Sequence, residues 1–208
     1  MSIAAIDENY PLILASASPR RKRLLGQVGL YFKAVPGNID ENLAELEGDP
    51  VAKACLLAEK KAGAVLPMFK NNWILGADTI VVIDKIILGK PKDHEDAFYM
   101  LDMLSGKKHS VITGFAIIDP MGRLIHSEGV ITLVKIKGLS KKEITAYIAT
   151  DEPFGKAGGY AIQGIGSFMV ETISGSYTNV VGLPVCSLIK ALLSTGAVKN
   201  FPFSSGTL

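Results

Sequence analysis

The sequence predicts an α/β protein: a mixed sheet with flanking helices. Three observations carry this. Short apolar runs, such as residues 12–15 and 73–84, alternate with segments of helical spacing. Two long strand candidates, residues 110–119 and 124–137, are joined by Pro120-Met121-Gly122, which marks a hairpin. Helices standing among both a hairpin and isolated strands imply a sheet with parallel and antiparallel neighbours.

The elements follow in order. Residues 1–10 read as a loose leader, and residues 12–15 as a strand. Ser18-Pro19 opens a helix to about Val28, because the hydroxyl caps it and proline presets the first turn. Leu24, Leu25 and Val28 share one face of that helix and Gly29 stops it. Residues 31–35 form a second strand. Asp49-Pro50 opens a helix through Ala64, with Ala54, Leu57, Ala58 and Lys61 at helical spacing. The strand over 73–84 turns at Asp84-Lys85 into residues 86–88. Asp93 with Asp96 resembles a capping box for a helix carrying Ala97, Met100, Leu101 and Leu104, ended by Ser105-Gly106. After the hairpin, Ser140 with Glu143 caps a helix to about Ala149. A glycine-rich segment, a strand over 168–173 and a helix from Pro184 to about Leu193 close the fold. Residues 200–208 read as a loose tail, and residues 1–208 as a single domain.

Composition narrows the function. The chain has 208 residues, 48% hydrophobic and 20% charged, as in a globular protein with a real core. A net charge of +2 gives no bulk field for nucleic acid or membrane, so any cationic site is local. Aromatic residues, at 7%, are not interleaved with the basic run, which argues against a single-strand stacking platform. Cys55 and Cys186 lie far apart in apolar, helix-like runs and read as buried free thiols. The opening has no signal-peptide pattern and no apolar run is long enough to span a bilayer, so a cytoplasmic protein is expected.

Four stretches are candidates for chemistry. In the first, Ser16-Ala17-Ser18-Pro19 leads into Arg20, Arg21, Lys22 and Arg23. Cations at a helix N-terminus oppose its dipole, so their stacking there favours a multiply charged anion such as phosphate over a plain solvated face. Ser16 and Ser18 add hydroxyl donors. In the second, Asp78 interrupts the apolar strand over 73–83. A buried carboxylate must be paired, metal-bound or working, unless it caps a loop at a strand end. Gly76-Ala77 ahead of it leave room for a ligand. The third is Gly89-Lys90-Pro91-Lys92-Asp93, where a hairpin could return Lys90 towards Asp78 or leave it on the surface. The fourth runs from Asp151 to Gly166, whose glycines suggest backbone close to a ligand or positive φ alone. Lys156 and Gln163 lie within it, and an amide such as Gln163 can read a base edge. His94, His109 and His126 are scattered and no cysteine pairs occur, so an oxygen-bound Mg²⁺ or Mn²⁺ is expected rather than zinc.

Taken together, Ser-Ala-Ser-Pro-Arg-Arg, Gly-Ala-Asp-Thr-Ile-Val, Gly-Lys-Pro-Lys-Asp and the 151–164 stretch resemble, in this order, the Maf family of nucleoside triphosphate pyrophosphatases. The resemblance covers about residues 12–193. It implies an elongated α/β fold like that of the inosine triphosphatase group, with a cleft between two lobes, and a cytoplasmic protein that is often a homodimer. Lys156 to Gly164 resembles the branch acting on dTTP and UTP rather than the branch acting on 7-methyl-GTP. The family's motif residues fall on Ser16, Arg20, Arg21, Glu41, Lys61, Asp78, Lys90 and Gln163; Glu41 and Lys61 rest on the resemblance alone. Gly155, where Asp is frequent, and Lys85, where a hairpin Gly is frequent, depart from the pattern.

What the resemblance implies is a house-cleaning hydrolase of acid anhydrides that splits a nucleoside triphosphate into monophosphate and pyrophosphate. Asp78 is the catalytic base, and Glu41 with Asp78 holds a divalent cation (Mg²⁺, Mn²⁺ or Co²⁺). Ser16, Ser18, Arg20, Arg21, Lys61, Lys90 and Lys156 contact substrate, and Gln163 helps select a pyrimidine. Two other readings share the cationic turn: a nucleotide-binding regulator of septum formation with little turnover, and a nucleotidyl transferase. No nucleic-acid or membrane partner is expected.

Overall fold

The computed structural model describes residues 4–40 and 48–203. The strands are β1 (Leu12–Leu14), β2 (Phe32–Ala34), β3 (Ile74–Ile83), β4 (Ile86–Leu88), β5 (Lys108–Ile118), β6 (Leu124–Ile136) and β7 (Val170–Ser174). The α-helices are α1 (Pro19–Gln27), α2 (Pro50–Val65), α3 (His94–Leu104), α4 (Lys141–Ile148), α5 (Tyr177–Val181) and α6 (Val185–Ser194). The sheet order is β2-β1-β3-β5-β6-β7, with β4 beside β3. β1 is parallel to both β2 and β3, whereas β4 and β7 are antiparallel to their partners. The mixed α/β sheet expected from the sequence is the one observed. The chain divides into two compact units: residues 1–78, 113–130 and 182–208, and residues 79–112 and 131–181.

In the first unit, β1 is buried on both faces, as a central parallel strand must be. α1 begins where Ser18 Oγ accepts the Arg21 N–H at 3.5 Å, with Pro19 in its first turn. It buries Leu24 and Leu25, and Gly29, at φ 70°, ends it. β1 lies between β2 and β3, so the chain leaves it through α1 to one side and returns through α2 on the other. That reversal of strand order is where open parallel sheets place ligands, beyond the carboxyl ends of the strands. Ile13, Ala15, Ala62, Val65, Ile74 and Ile118 pack as one apolar cluster. Residues 4–6, read as part of a loose leader, are tied down. Ile6 N–H donates to Ala197 O at 2.8 Å, and Trp73 Nε1–H donates to Ala4 O at 2.8 Å.

α2 lies against the sheet backbone itself. A Cβ on Gly76 of β3 would stand 2.0 Å from Ala58 O, and one on Gly114 of β5 would stand 2.3 Å from Ala54 O. Gly129 of β6 faces Val51 in the same way. From Ala58 to Ala54 to Val51 the contacts step back about one helical turn per strand. Gly76 therefore makes room for a helix, not for a ligand as the sequence suggested: Ala58 O fills the space.

In the second unit, α3 and α4 cover an apolar cluster that includes Val81, Ile83, Leu101, Leu104, Val134, Ile136 and Tyr147. Asp93 caps α3 by accepting the Asp96 N–H at 2.8 Å, but Asp96 takes the Lys92 N–H instead of reciprocating. The box on α4 is complete, with Ser140 and Glu143 each accepting from the other's backbone. Bonds from Lys137 and Ser140 hold the Glu143 carboxyl down at about 2. A short 3₁₀ turn over Ile165–Met169 occupies the start of the expected strand, so β7 begins at Val170. α5, unforeseen from the sequence, is a five-residue helix, too short for a periodic signal. Cys55 is half-buried and Cys186 exposed, and neither forms a disulfide, which corrects the expectation of two buried thiols.

His109 is buried in this unit, with Nε2 2.7 Å from Tyr160 OH and Nδ1 without a partner. Burial pushes its pKa down from 6.5 to about 4. The unfolded chain therefore takes up this proton first as the pH falls. The neutral ring's contribution is complete above 6.5 and lost between 6.5 and about 4. Between about pH 7.5 and about pH 5, wild type should lose about 2 kcal/mol more stability than His109→Gln. Urea unfolding at both pH values measures the difference.

Candidate active site

The turn after β1 and the pair Lys61–Asp78 form the site's frame within the first unit. Leu14 pairs in register with Leu75, and Ala15 N–H donates to Leu75 O at 2.8 Å. The pairing ends there, and the Ser16 N–H donates back to Leu14 O at 2.8 Å as the chain turns out of β1, while β3 runs on to Asp78 three residues past Leu75. The cation-rich turn thus follows the strand that neighbours β3, and β3 carries the carboxylate.

The four cations of the turn divide by burial. Lys22 and Arg23 are exposed and Arg20 is half-buried. Arg21 is 7% exposed. Its Nε donates to Gly182 O at 2.7 Å and its Nη1 to Ser16 Oγ at 3.1 Å. Ser16 Oγ also accepts the Ser18 N–H at 3.2 Å. Arg21 therefore fastens the turn to the segment before α6 and orients the Ser16 hydroxyl. A fixed, cation-lined turn opening a helix suits phosphate.

Lys61 Nζ donates to Asp78 Oδ1 in a short, buried ion pair, the two side chains 8% and 9% exposed. Lys61 belongs to the buried face of α2, with Ala54, Leu57, Ala58, Ala62 and Val65. The helical stripe placed it, and a lysine within an apolar stripe was the signal that composition and motifs did not exploit. Burying two charges is costly unless the geometry is good, so a pair held here points to work rather than to stability.

Lys90, Lys156 and Gln163 belong to the second unit. Lys90 is exposed, just past the end of β4 at Leu88. Lys156 donates to the backbone O of Glu152. Gln163 Nε2 donates to Tyr177 OH at 3.1 Å. Glu41 lies outside the described residues. The structure thus brings together Ser16, Ser18 and Arg21, and separately Lys61 with Asp78.

Among the described residues no group of three or more His, Cys, Asp or Glu side chains is placed to hold a metal ion. Asp78 offers one carboxylate beside the anion-suited turn. With its Oδ1 taken by Lys61, that carboxylate alone does not make a metal site, and a hard divalent cation there would need further oxygen ligands such as phosphate.

The first unit thus joins a mixed α/β sheet to a fixed cationic turn at its strand reversal, with a buried carboxylate on the next strand. The chain belongs to the Maf family: the model for Maf-like proteins matches residues 11–195. It is 48% identical over 197 residues to the dTTP/UTP pyrophosphatase of Syntrophotalea carbinolica, covering 94% of this chain and 89% of that one. It is 51% identical over 174 residues to the protein of the same name in Ruminiclostridium cellulolyticum, covering 84% and 90%. With that of Citrifermentans bemidjiense the identity is 49%, over 93% of this chain and 100% of that one. A more distant likeness is to the nucleoside-triphosphatase / dITP/XTP pyrophosphatase of Mycobacterium abscessus. It has TM-score 0.44 and 12% identity over 92% of this chain and 99% of that one.

Proposed function

We infer that this Maf-family chain is a nucleoside triphosphate pyrophosphatase that hydrolyses dTTP and UTP to the monophosphate and pyrophosphate. The observation that carries the reading is the buried pair of Lys61 on α2 and Asp78 on β3, the strand next to β1, which leads into the Ser16–Arg21 turn. The relatives at 48% and 51% identity, both named dTTP/UTP pyrophosphatase, support the substrate class.

Arg20 and the turn's N–H and hydroxyl donors bind phosphate oxygens, with Arg21 holding the turn in shape. Asp78 Oδ2 accepts a proton from water as that water's oxygen attacks the α-phosphorus. The bridging bond to the β-phosphate breaks and pyrophosphate leaves with the electron pair. Lys61 compensates the charge of Asp78 before attack and that of the phosphates as it develops. Asp78 and Glu41 would hold a Mg²⁺, Mn²⁺ or Co²⁺ ion, which would supply neutralisation of phosphate charge. Lys90 and Lys156 contribute further positive charge to the phosphates, and Gln163 reads the pyrimidine. These roles rest on the family's motif positions. The same reading makes residues 1–208 one Maf-like domain, places the protein in the cytoplasm and includes a homodimer. No described helix is long and apolar enough to cross a membrane.

Pyrophosphate release from dTTP, UTP, GTP and 7-methyl-GTP, with each cation in turn and in ¹⁸O-water, tests the reading. The expected result is turnover of dTTP and UTP, with the label in the monophosphate. Binding without turnover would favour a regulator, a need for a phosphorylated acceptor would favour transfer, and preference for 7-methyl-GTP would reassign the branch.

A further inference from the structure

The stretch from Asp151 to Gly166 holds its shape through one carboxylate that the mechanism does not use. Glu152 follows α4 and takes donors from several directions. Its Oε1 accepts the Tyr147 hydroxyl at 3.0 Å and the Gly166 N–H at 2.8 Å, and its Oε2 accepts the Ile165 N–H at 3.0 Å. Tyr147 OH in turn accepts the Ala161 N–H at 3.3 Å. The backbone O of Glu152 accepts from Lys156 Nζ. One end of the 161–166 segment, which carries Gln163, is therefore held by Glu152 directly, and the other through the Tyr147 hydroxyl that Glu152 anchors.

The local backbone is built around that carboxylate. A Cβ on Gly164, which has φ 79°, would stand 2.5 Å from Glu152 Oε2. A Cβ on Gly166 would stand 2.6 Å from Tyr147 OH. Glycine is needed at both places because the carboxylate and phenol occupy the space a side chain would fill. Glu152 also satisfies the Ile165 and Gly166 amides that open the 3₁₀ turn over Ile165–Met169, whose own N-cap, Gly164, has no side chain to do so. Burial alone would push the Glu152 carboxyl up, but the bonds from Gly166, Ile165 and Tyr147 outweigh it and hold it below the ordinary range.

We propose that Glu152 is a positioning residue for substrate selection: by gathering the Tyr147, Ile165 and Gly166 donors it fixes the loop that presents Gln163 to the base. This rests on the assignment of Gln163 as the base reader of a dTTP/UTP pyrophosphatase. Glu152 touches no reacting atom, so its loss weakens recognition rather than the chemical step.

The test compares wild type, Glu152→Gln and Glu152→Ala in steady-state pyrophosphate release from dTTP and from dGTP, with amide hydrogen exchange at Ile165 and Gly166. Glu152→Gln keeps the shape but turns an NH₂ group towards donors. It is expected to raise KM for dTTP about tenfold, the size of one charge-assisted hydrogen bond, with kcat within about twofold. The preference for dTTP over dGTP should fall in proportion, and exchange should quicken at Ile165 and Gly166 but not in β5. Glu152→Ala should show the same pattern more strongly. Quickened exchange with KM and preference unchanged would overturn the proposal, as would an equal fall in kcat for both nucleotides. A wild type that releases no pyrophosphate from dTTP would instead remove the function reading, and the proposal with it.

Discussion

Asp78→Asn should lower kcat for dTTP by about a thousandfold, within the range for loss of a positioned general base. KM should change less than kcat, because the Ser16–Arg21 turn still binds phosphate even as the cation site that Asp78 shares with Glu41 is weakened. Asparagine keeps the shape and an acceptor oxygen for Lys61 but cannot take a proton from water. The substitution also leaves the Lys61 ammonium buried without its counter-charge, and breaking such a pair typically costs about 3–5 kcal/mol. The retained acceptor offsets part of that cost. Stability is therefore read alongside rate. Urea unfolding shows whether the variant is folded at the assay temperature, and steady-state pyrophosphate release then gives kcat and KM. A folded variant turning over dTTP at near wild-type rate would remove Asp78 from the chemistry.

The second large effect is on the fold. Gly76→Ala should cost at least about 3 kcal/mol, at the upper end for a point substitution. The new Cβ would lie 2.0 Å from Ala58 O and 2.8 Å from Ala62 N, both backbone atoms that no rotamer change can withdraw. Relief requires α2 to lift from β3. Lys61 lies on that part of α2, so lifting would draw its ammonium away from Asp78 and lower activity in whatever fraction stays folded. Gly63→Ala is the matched control: on the same helix, a Cβ there meets nothing within 4 Å. It should stabilise by about 0.5–1 kcal/mol through helix propensity. Urea unfolding of the two variants beside wild type gives the contrast directly.

The sequence was most informative where the physics is local. Ser18-Pro19, Asp49-Pro50 and Ser140 with Glu143 start helices because capping needs only a few neighbouring residues. The long β5–β6 hairpin was legible from the length of its two strands and the short connection between them. The fates of Arg21 and Gly76 were not legible. Arg21 bonds to Gly182, 161 residues away in sequence, and nothing in its neighbours announces that partner. Gly76 was correctly read as a place of close approach, but the occupant, a helix backbone, depends on tertiary packing. Lys61 carried a faint local sign, a cation in an apolar stripe, and its meaning came only with Asp78 opposite it. Glu152 carried no sign in the sequence, because its donors come from Tyr147, Ile165 and Gly166.

The claim beneath these expectations is that the Arg20-bearing turn and the Asp78 carboxylate serve the same polyphosphate. Calorimetric titration of dTTP into Asp78→Asn, and into Asp78→Asn carrying Arg20→Ala, tests it most directly because turnover slowed about a thousandfold leaves the ligand largely intact during the titration. The predicted result is a tenfold or greater weakening on adding Arg20→Ala, about 1.4 kcal/mol or more, with dTMP weakened much less. Equal dTTP affinity in the two proteins would contradict the account.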